Sequence, residues 1–147
     1  MTYQHILIAT DLSPECHLVL KPATQLQQAL GCKLSLVHVI EPLSMSFGAD
    51  VPMDLGILQE QQTAQASERL KEVLPDWPAL REQDCHLRYG QPRAEIHQLA
   101  EEIGSDLILV GSHGRHGLAL LLGSTASDLL SAAPCDVLAV NLKKEVP

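Results

Sequence analysis

Asp106-Leu-Ile-Leu-Val-Gly-Ser-His-Gly114 is the stretch on which the fold turns. Its first part, Asp106–Val110, is a short apolar run with branched side chains, the pattern of a strand covered on both faces. Gly111 and Gly114 follow, and a helix is expected from about Ser124 to Ala132. A doubly covered strand that runs through a glycine-bearing turn into a helix is the repeating unit of a parallel α/β sheet.

The same unit recurs towards both ends. His5-Ile-Leu-Ile-Ala-Thr10 is a second such strand. Asp11-Leu-Ser13-Pro14-Glu15 then supplies helix-start chemistry, with Ser13 as N-cap, Pro14 at the first helical position and Glu15 in the first turn. Val19, Ala23, Leu26 and Leu30 recur at helical spacing up to Gly31, and Pro22, which removes one hydrogen bond, predicts a kink. Lys33–Ile40 reads as a strand stopped by Glu41-Pro42, and Leu43–Asp54 as a long surface loop. From about Leu55 to Leu74 the chain is rich in Gln, Glu, Ala and Leu, a composition that favours helix. Pro75-Asp-Trp-Pro78 breaks it.

Cys85-His-Leu-Arg-Tyr89 alternates as a strand does, and Gly90-Gln-Pro92 punctuates it. Ala94, Ile96, Leu99, Ala100 and Ile103 mark a further helix ending near Gly104, and Asp136–Leu142 reads as the last strand. Four strand–helix units and a closing strand predict an α/β fold: a three-layer, doubly wound parallel sheet with helices on both faces. Ligands of such sheets sit outside the carboxyl ends of the strands, where the strand order reverses. Asp11 and Gly111 close the first and fourth strands, so they face one crevice if those strands are neighbours.

Composition fits this reading. A length of 147 residues suits one domain, 1–147, and a core short of aromatics (Phe47, Trp77, Tyr3 and Tyr89 only) suits flat helix-on-sheet layers. A net charge of −8 opposes nonspecific contact with nucleic acid or an anionic membrane, so neither is expected as a partner. Cys16, Cys32, Cys85 and Cys135 are widely spaced without Cys-x-x-Cys. Met1–His5 carries no signal-peptide pattern and no apolar run is long enough to span a bilayer, which gives the expectation of reduced thiols and a cytoplasmic location.

The stretch from Val110 to Thr125 carries the candidate chemistry. Gly111 and Gly114 let backbone N–H groups approach an anion, and Gly123-Ser124-Thr125 stands at a helix start, where free N–H groups favour phosphate. His113, Arg115 and His116 add donors. A bare tight turn explains the glycines equally well. The pattern Gly-x4-Gly-Lys-Ser/Thr is absent, and no lysine occurs between Glu72 and Leu142, so a P-loop ATPase is not expected. His113 and His116 lack a third ligand in a local pattern, so no metal site is expected.

Other residues have bland readings beside them. Asp11 either meets a ligand or caps its own loop through nearby N–H groups. His38, inside a strand, reads as a packed and hydrogen-bonded side chain. Cys85 and His86, adjacent on a strand, point to opposite faces, so no thiol is activated by a neighbouring base. Glu68–Glu72 reads as a solvated helix face, and Met45, Phe47 and Met53 as an apolar patch that covers the pocket or meets a partner.

Six segments, taken together, resemble the universal stress proteins of the UspA superfamily. They are His5-Ile-Leu-Ile-Ala-Thr-Asp-Leu-Ser13, Leu36-Val-His-Val-Ile40, Tyr89-Gly-Gln-Pro92, Asp106–Gly114, Leu122-Gly-Ser-Thr125 and Ala133-Pro-Cys-Asp-Val-Leu-Ala-Val140. They occur in order, nearly end to end. The resemblance implies a five-stranded sheet of order 3-2-1-4-5 and a homodimer paired along the last strand, 136–142. It also implies an adenine-nucleotide site for ATP, with or without Mg2+. There Asp11 would meet adenine or ribose, Val39 would offer its backbone to the adenine edge, and Ala9 and Thr10 would line the pocket. Val110, Gly111, His113 and Gly114 would form the near wall, with Gly123, Ser124 and Thr125 on phosphate.

One departure bears on this. Eight residues, Arg115 to Leu122, separate Gly114 from Gly123 where the family's Gly-x2-Gly-x9-Gly-Ser/Thr pattern has nine. One residue fewer shifts backbone amides by up to ~3.3–3.6 Å along the chain. The function implied is that of a stress-response regulatory protein reading an adenine nucleotide for an unknown protein partner, with no catalytic residues and at most slow hydrolysis. The alternative is a nucleotide-free UspA-type dimer acting through protein–protein contacts.

Overall fold

The computed structural model describes residues 3–42, 55–111 and 129–140. Five strands form one sheet: β1 (His5–Ala9), β2 (Lys33–Ile40), β3 (Cys85–Tyr89), β4 (Leu107–Gly111) and β5 (Asp136–Val140). All pairings are parallel and the order is β3-β2-β1-β4-β5, as the resemblance implied. Three helices are described: α1 (His17–Leu30), α2 (Leu55–Val73) and α3 (Pro92–Ile103). Of the helix expected over 124–132, only the end lies among the described residues, where Leu129 and Leu130 are helical.

Topology decides which helix covers which face. The steps β1→β2→β3 run in one direction, so right-handed crossovers put α1 and α2 on the same side of the sheet. There Ile6, Ile8, Leu34 and Leu36 pack against Val19, Leu20, Ala23 and Leu70. The step from β3 back past β1 to β4 reverses direction and carries α3 to the other side. Leu7, Ala9, Val37, Ile108 and Val110 meet Ile96, Leu99, Ala100 and Leu129 there. Each fully buried Leu or Ile contributes about 1.5–3 kcal/mol of transfer free energy. The reversal falls between β1 and β4 and creates the switch point at their carboxyl ends.

Helix ends follow local chemistry with one correction. Gly31 (φ 65°) and Gly104 (φ 72°) adopt the left-handed conformation that ends α1 and α3. Gln91 caps α3, its side chain accepting from the Ala94 N–H at 3.0 Å. At the start of α1 the expected Ser13 cap is not made. A 3-10 turn, Pro14–Cys16, precedes the helix, and the Ser13 side chain makes no capping bond. The helix then continues through Pro22 to Leu30.

The amino-terminal edge of the sheet is closed by hydrogen bonds. The Asp106 carboxylate accepts from the backbone N–H groups of Gln4 (2.9 Å) and His5 (2.9 Å), and the Asp106 N–H donates to the His5 carbonyl at 3.0 Å. The Tyr3 hydroxyl donates to Asp136 at 2.7 Å, linking the chain before β1 to β5.

Candidate functional site

The described residues of the expected site lie at the carboxyl-terminal edge. The β1–β2 ladder ends at Ala9 and Val37, with the Thr10 N–H donating to the Val37 carbonyl at 3.1 Å. Bonding groups on a strand alternate sides. Val39, two residues on, therefore turns its backbone N–H and C=O to the β1 side, past the last ladder pair. On the other side of β1, Ile8 pairs with Leu109, and the same register extended by two residues sets Thr10 level with Gly111. Ala9, Thr10, Asp11, Val39, Val110 and Gly111 therefore come together at one edge. His113, Gly114, Gly123, Ser124 and Thr125 lie outside the described residues.

After β1 the chain turns sharply. Leu12 takes φ 60°, a left-handed conformation that costs a non-glycine residue about 1–2 kcal/mol. Two side chains hold the turn: Thr10 Oγ1 accepts from the Leu12 N–H (3.4 Å) and Asp11 Oδ1 from the Ser13 N–H (2.9 Å). The Ser13 side chain is not needed as a cap because the Cys16 N–H donates to the Ser13 carbonyl at 3.0 Å, closing the 3-10 turn. Asp11 Oδ1 thus serves its own loop, and Oδ2 has no partner among the described residues.

Beside this turn lies a cleft of about 660 Å³, bordered by Asp11, Leu12, Ser13, Pro14, His38, Arg69, Glu72 and Val73. That size falls within the range of about 300–1,000 Å³ usual for small-molecule sites. Asp11 is the one residue of the expected site among those bordering it. The sequence does not point to the rest as a site: His38 is the packed, hydrogen-bonded side chain expected and also borders the cleft, while Arg69 and Glu72 are expected on a solvated helix face. Both α2 side chains are exposed, as that reading has it, but they also form the cleft's outer wall.

Two polar residues of the cleft stand out, Ser13 and His38. Ser13 is buried, with 9% of its surface exposed, yet its hydroxyl has no hydrogen-bond partner among the described residues; nor has Glu15 Oε1, two residues on and outside the cleft lining. A buried polar atom left unpaired costs about 1–3 kcal/mol, so such atoms mark places where water or a ligand belongs. His38 Nδ1 stands 2.9 Å from the Thr10 carbonyl. A carbonyl only accepts, so Nδ1 carries the proton and Nε2 of the neutral ring is an acceptor. Burial pushes the His38 pKa below its ordinary value, with Arg69 adding to the effect and the Thr10 carbonyl and Asp11 opposing it.

Charge on the cleft wall is slightly negative, two carboxylates (Asp11, Glu72) against one guanidinium (Arg69). The Cys16 thiol, behind Asp11, is pushed up to about 11 by burial and then by the Asp11 charge, so it stays protonated at neutral pH. Cys85 is likewise raised to about 11 by burial and by Asp84 and Glu82. All four cysteines are free thiols. Among the described residues, no cluster of three His, Cys, Asp or Glu is placed to hold a metal, and no helix is long and apolar enough to cross a membrane.

The model of the universal stress protein family matches residues 2–141. The chain belongs to this family. Relatives at the sequence level include two universal stress protein A homologues of Coxiella burnetii. Homologue 1 is 35% identical over 144 residues, covering 98% of this chain and all of that protein. Homologue 2 is 36% identical, covering 96% and 97%. Among solved structures, UspA from Lactobacillus plantarum superposes with a TM-score of 0.75 at 24% identity, over 96% of this chain and 99% of its own. A universal stress protein in complex with cAMP superposes at 0.59, with 24% identity, over 97% and 99%. Likeness at that identity shows the shared fold.

Proposed function

We propose that this universal stress protein is a regulator that binds an adenine nucleotide, ATP with or without Mg2+, at the carboxyl ends of β1, β2 and β4. The observation that carries the reading is the cleft beside Asp11. It begins at Asp11 after β1, it has the size of a small-molecule site, and its wall holds the Ser13 hydroxyl, unpaired among the described residues, and a small excess of negative charge. Such a wall suits an uncharged base and ribose and repels phosphate. The base end therefore belongs beside Asp11 and the backbone of Val39, with Ala9 and Thr10 lining it. The phosphates run past Val110, Gly111, His113 and Gly114 to Gly123, Ser124 and Thr125. A structural neighbour in complex with cAMP, itself an adenine nucleotide, supports the class of ligand.

The protein acts in the cytoplasm as a homodimer joined along 136–142 and signals to a protein partner. It is not an enzyme: His113 and His116 have no carboxylate near them in sequence to help activate water. Nucleotide-stripped protein titrated calorimetrically with ATP, ADP and AMP plus magnesium tests the reading. Saturable micromolar binding is expected, and Gly114→Val, which puts side-chain bulk where phosphate approaches, abolishes it. Absence of heat at high nucleotide concentration overturns it.

A second reading, a nucleotide-free dimer working through protein contacts alone, is favoured by the loop 115–122, one residue short of the family pattern. It predicts that same absence of heat.

A further inference from the structure

Resting on the nucleotide reading, the geometry points to His38 as the residue that selects the base, preferring a 6-aminopurine to a 6-oxopurine by accepting a hydrogen bond from the exocyclic amino group at Nε2. Three observations meet at this ring. Its Nδ1–H is committed to the Thr10 carbonyl at 2.9 Å, which fixes both the tautomer and the orientation. The ring borders the cleft together with Asp11 and Ser13, and Nε2 has no partner among the described residues. The next residue, Val39, turns its backbone N–H and C=O past the end of the β1 ladder, level with where a base edge would lie.

An acceptor fixed in this way discriminates by the sign of what faces it. An amino group donates to Nε2. A 6-oxo group sets a second acceptor against it, so both lone pairs lose water without gaining a proton between them. The ring cannot turn over to offer a donor without breaking its bond to Thr10. Sites built around one such hydrogen bond reject the ligand that cannot make it more strongly than they favour the one that can.

The test titrates the nucleotide-stripped full chain at pH 8, where the ring is neutral, with ATP, ITP, GTP and 2′-deoxy-ATP. Wild type is expected to bind ATP about tenfold or more tightly than ITP. His38→Asn keeps an N–H where Nδ1 stands, and so the bond to Thr10, but has nothing at the place of Nε2. Its ATP:ITP preference falls to about one. His38→Gln, whose amide can present either a donor or an acceptor, loses the preference as well and serves if the Asn variant does not fold.

Equal binding of ATP and ITP by wild type overturns the proposal, as does a preference that survives both substitutions. Weak binding of 2′-deoxy-ATP by wild type, relieved in the variants, also overturns it by showing that a ribose hydroxyl is the donor. If wild type binds no nucleotide at all, the nucleotide reading falls and takes this inference with it. Binding with an unchanged preference removes this inference alone.

Discussion

The two edges of the sheet are built differently. β3 and β5 are both five-residue outer strands with one free side of backbone groups. On β3 every residue is half-buried, and Arg88 is held by Glu102 at 2.6 Å and Glu95 at 3.8 Å, while the Tyr89 hydroxyl donates to Gln62 of α2 at 3.1 Å. On β5 three of five residues are exposed, Leu138 to 42%, and Leu130 just before it to 62%. Charged, anchored side chains keep an edge from pairing with another chain; an apolar exposed strand invites it. Among the described residues β5 is the less protected edge, and this difference supports placing the proposed homodimer interface there.

Leu138→Asp is the strongest test of that difference. A carboxylate buried without a partner in a subunit interface costs about 3–5 kcal/mol, so sedimentation at micromolar concentration should change from dimer to monomer. A dimer that survives the substitution moves the interface elsewhere. Smaller is the effect of Arg88→Ala at the opposite edge. It should leave the dimer intact and lower the thermal midpoint by less than about 4 °C, as expected for partly exposed ion pairs. If that variant instead forms larger assemblies, Arg88 is what keeps β3 unpaired.

The smallest effect expected is with pH. His5, His38 and His86 lie on β1, β2 and β3, and burial lowers the pKa of each, with Lys33 adding to the shift at His5, Arg69 at His38 and Arg88 at His86. The unfolded chain titrates near the ordinary value of about 6.5 and so binds more protons than the native state just below it. Stability therefore falls as pH drops from 7 towards 5. Urea midpoints at pH 7.5 and 5.5 measure it, and an equal or higher midpoint at pH 5.5 contradicts a cost for burying neutral histidines.

Much of the fold was legible because each strand is an apolar run bounded by turn chemistry. β2 and β3 match their expected limits, and β4 lies one residue later than Asp106–Val110, with Asp106 just before it clamping Gln4 and His5. The exposure of β5 was legible only through the sheet order that the resemblance implied, not in the strand's own residues. Asp-Val-Leu-Ala-Val is as apolar as an interior strand, and only its place in the sheet order exposes it.

At the site, Asp11 could be found from its position after β1. His38, Arg69 and Glu72 could not, because the cleft they border is made by α2 packing on β2, a contact with no local pattern. The start of α1 differs from its local signal because a 3-10 turn intervenes, in which the Cys16 N–H goes to the Ser13 carbonyl rather than to the Ser13 side chain.

The strand order has a consequence for synthesis. β1 is made first but sits in the middle, and its second neighbour, β4, begins at Leu107. At about 5–20 residues per second, translation takes roughly 5–20 s to travel from the end of β1 to β4. Throughout that interval the nascent chain carries the most apolar edge of its sheet unpaired. The Asp106 carboxylate that finally grips Gln4 and His5 comes immediately before the strand that closes it. The molecule thus passes through its stickiest moment while still on the ribosome, and chaperone demand should be set by the distance along the chain between β1 and β4.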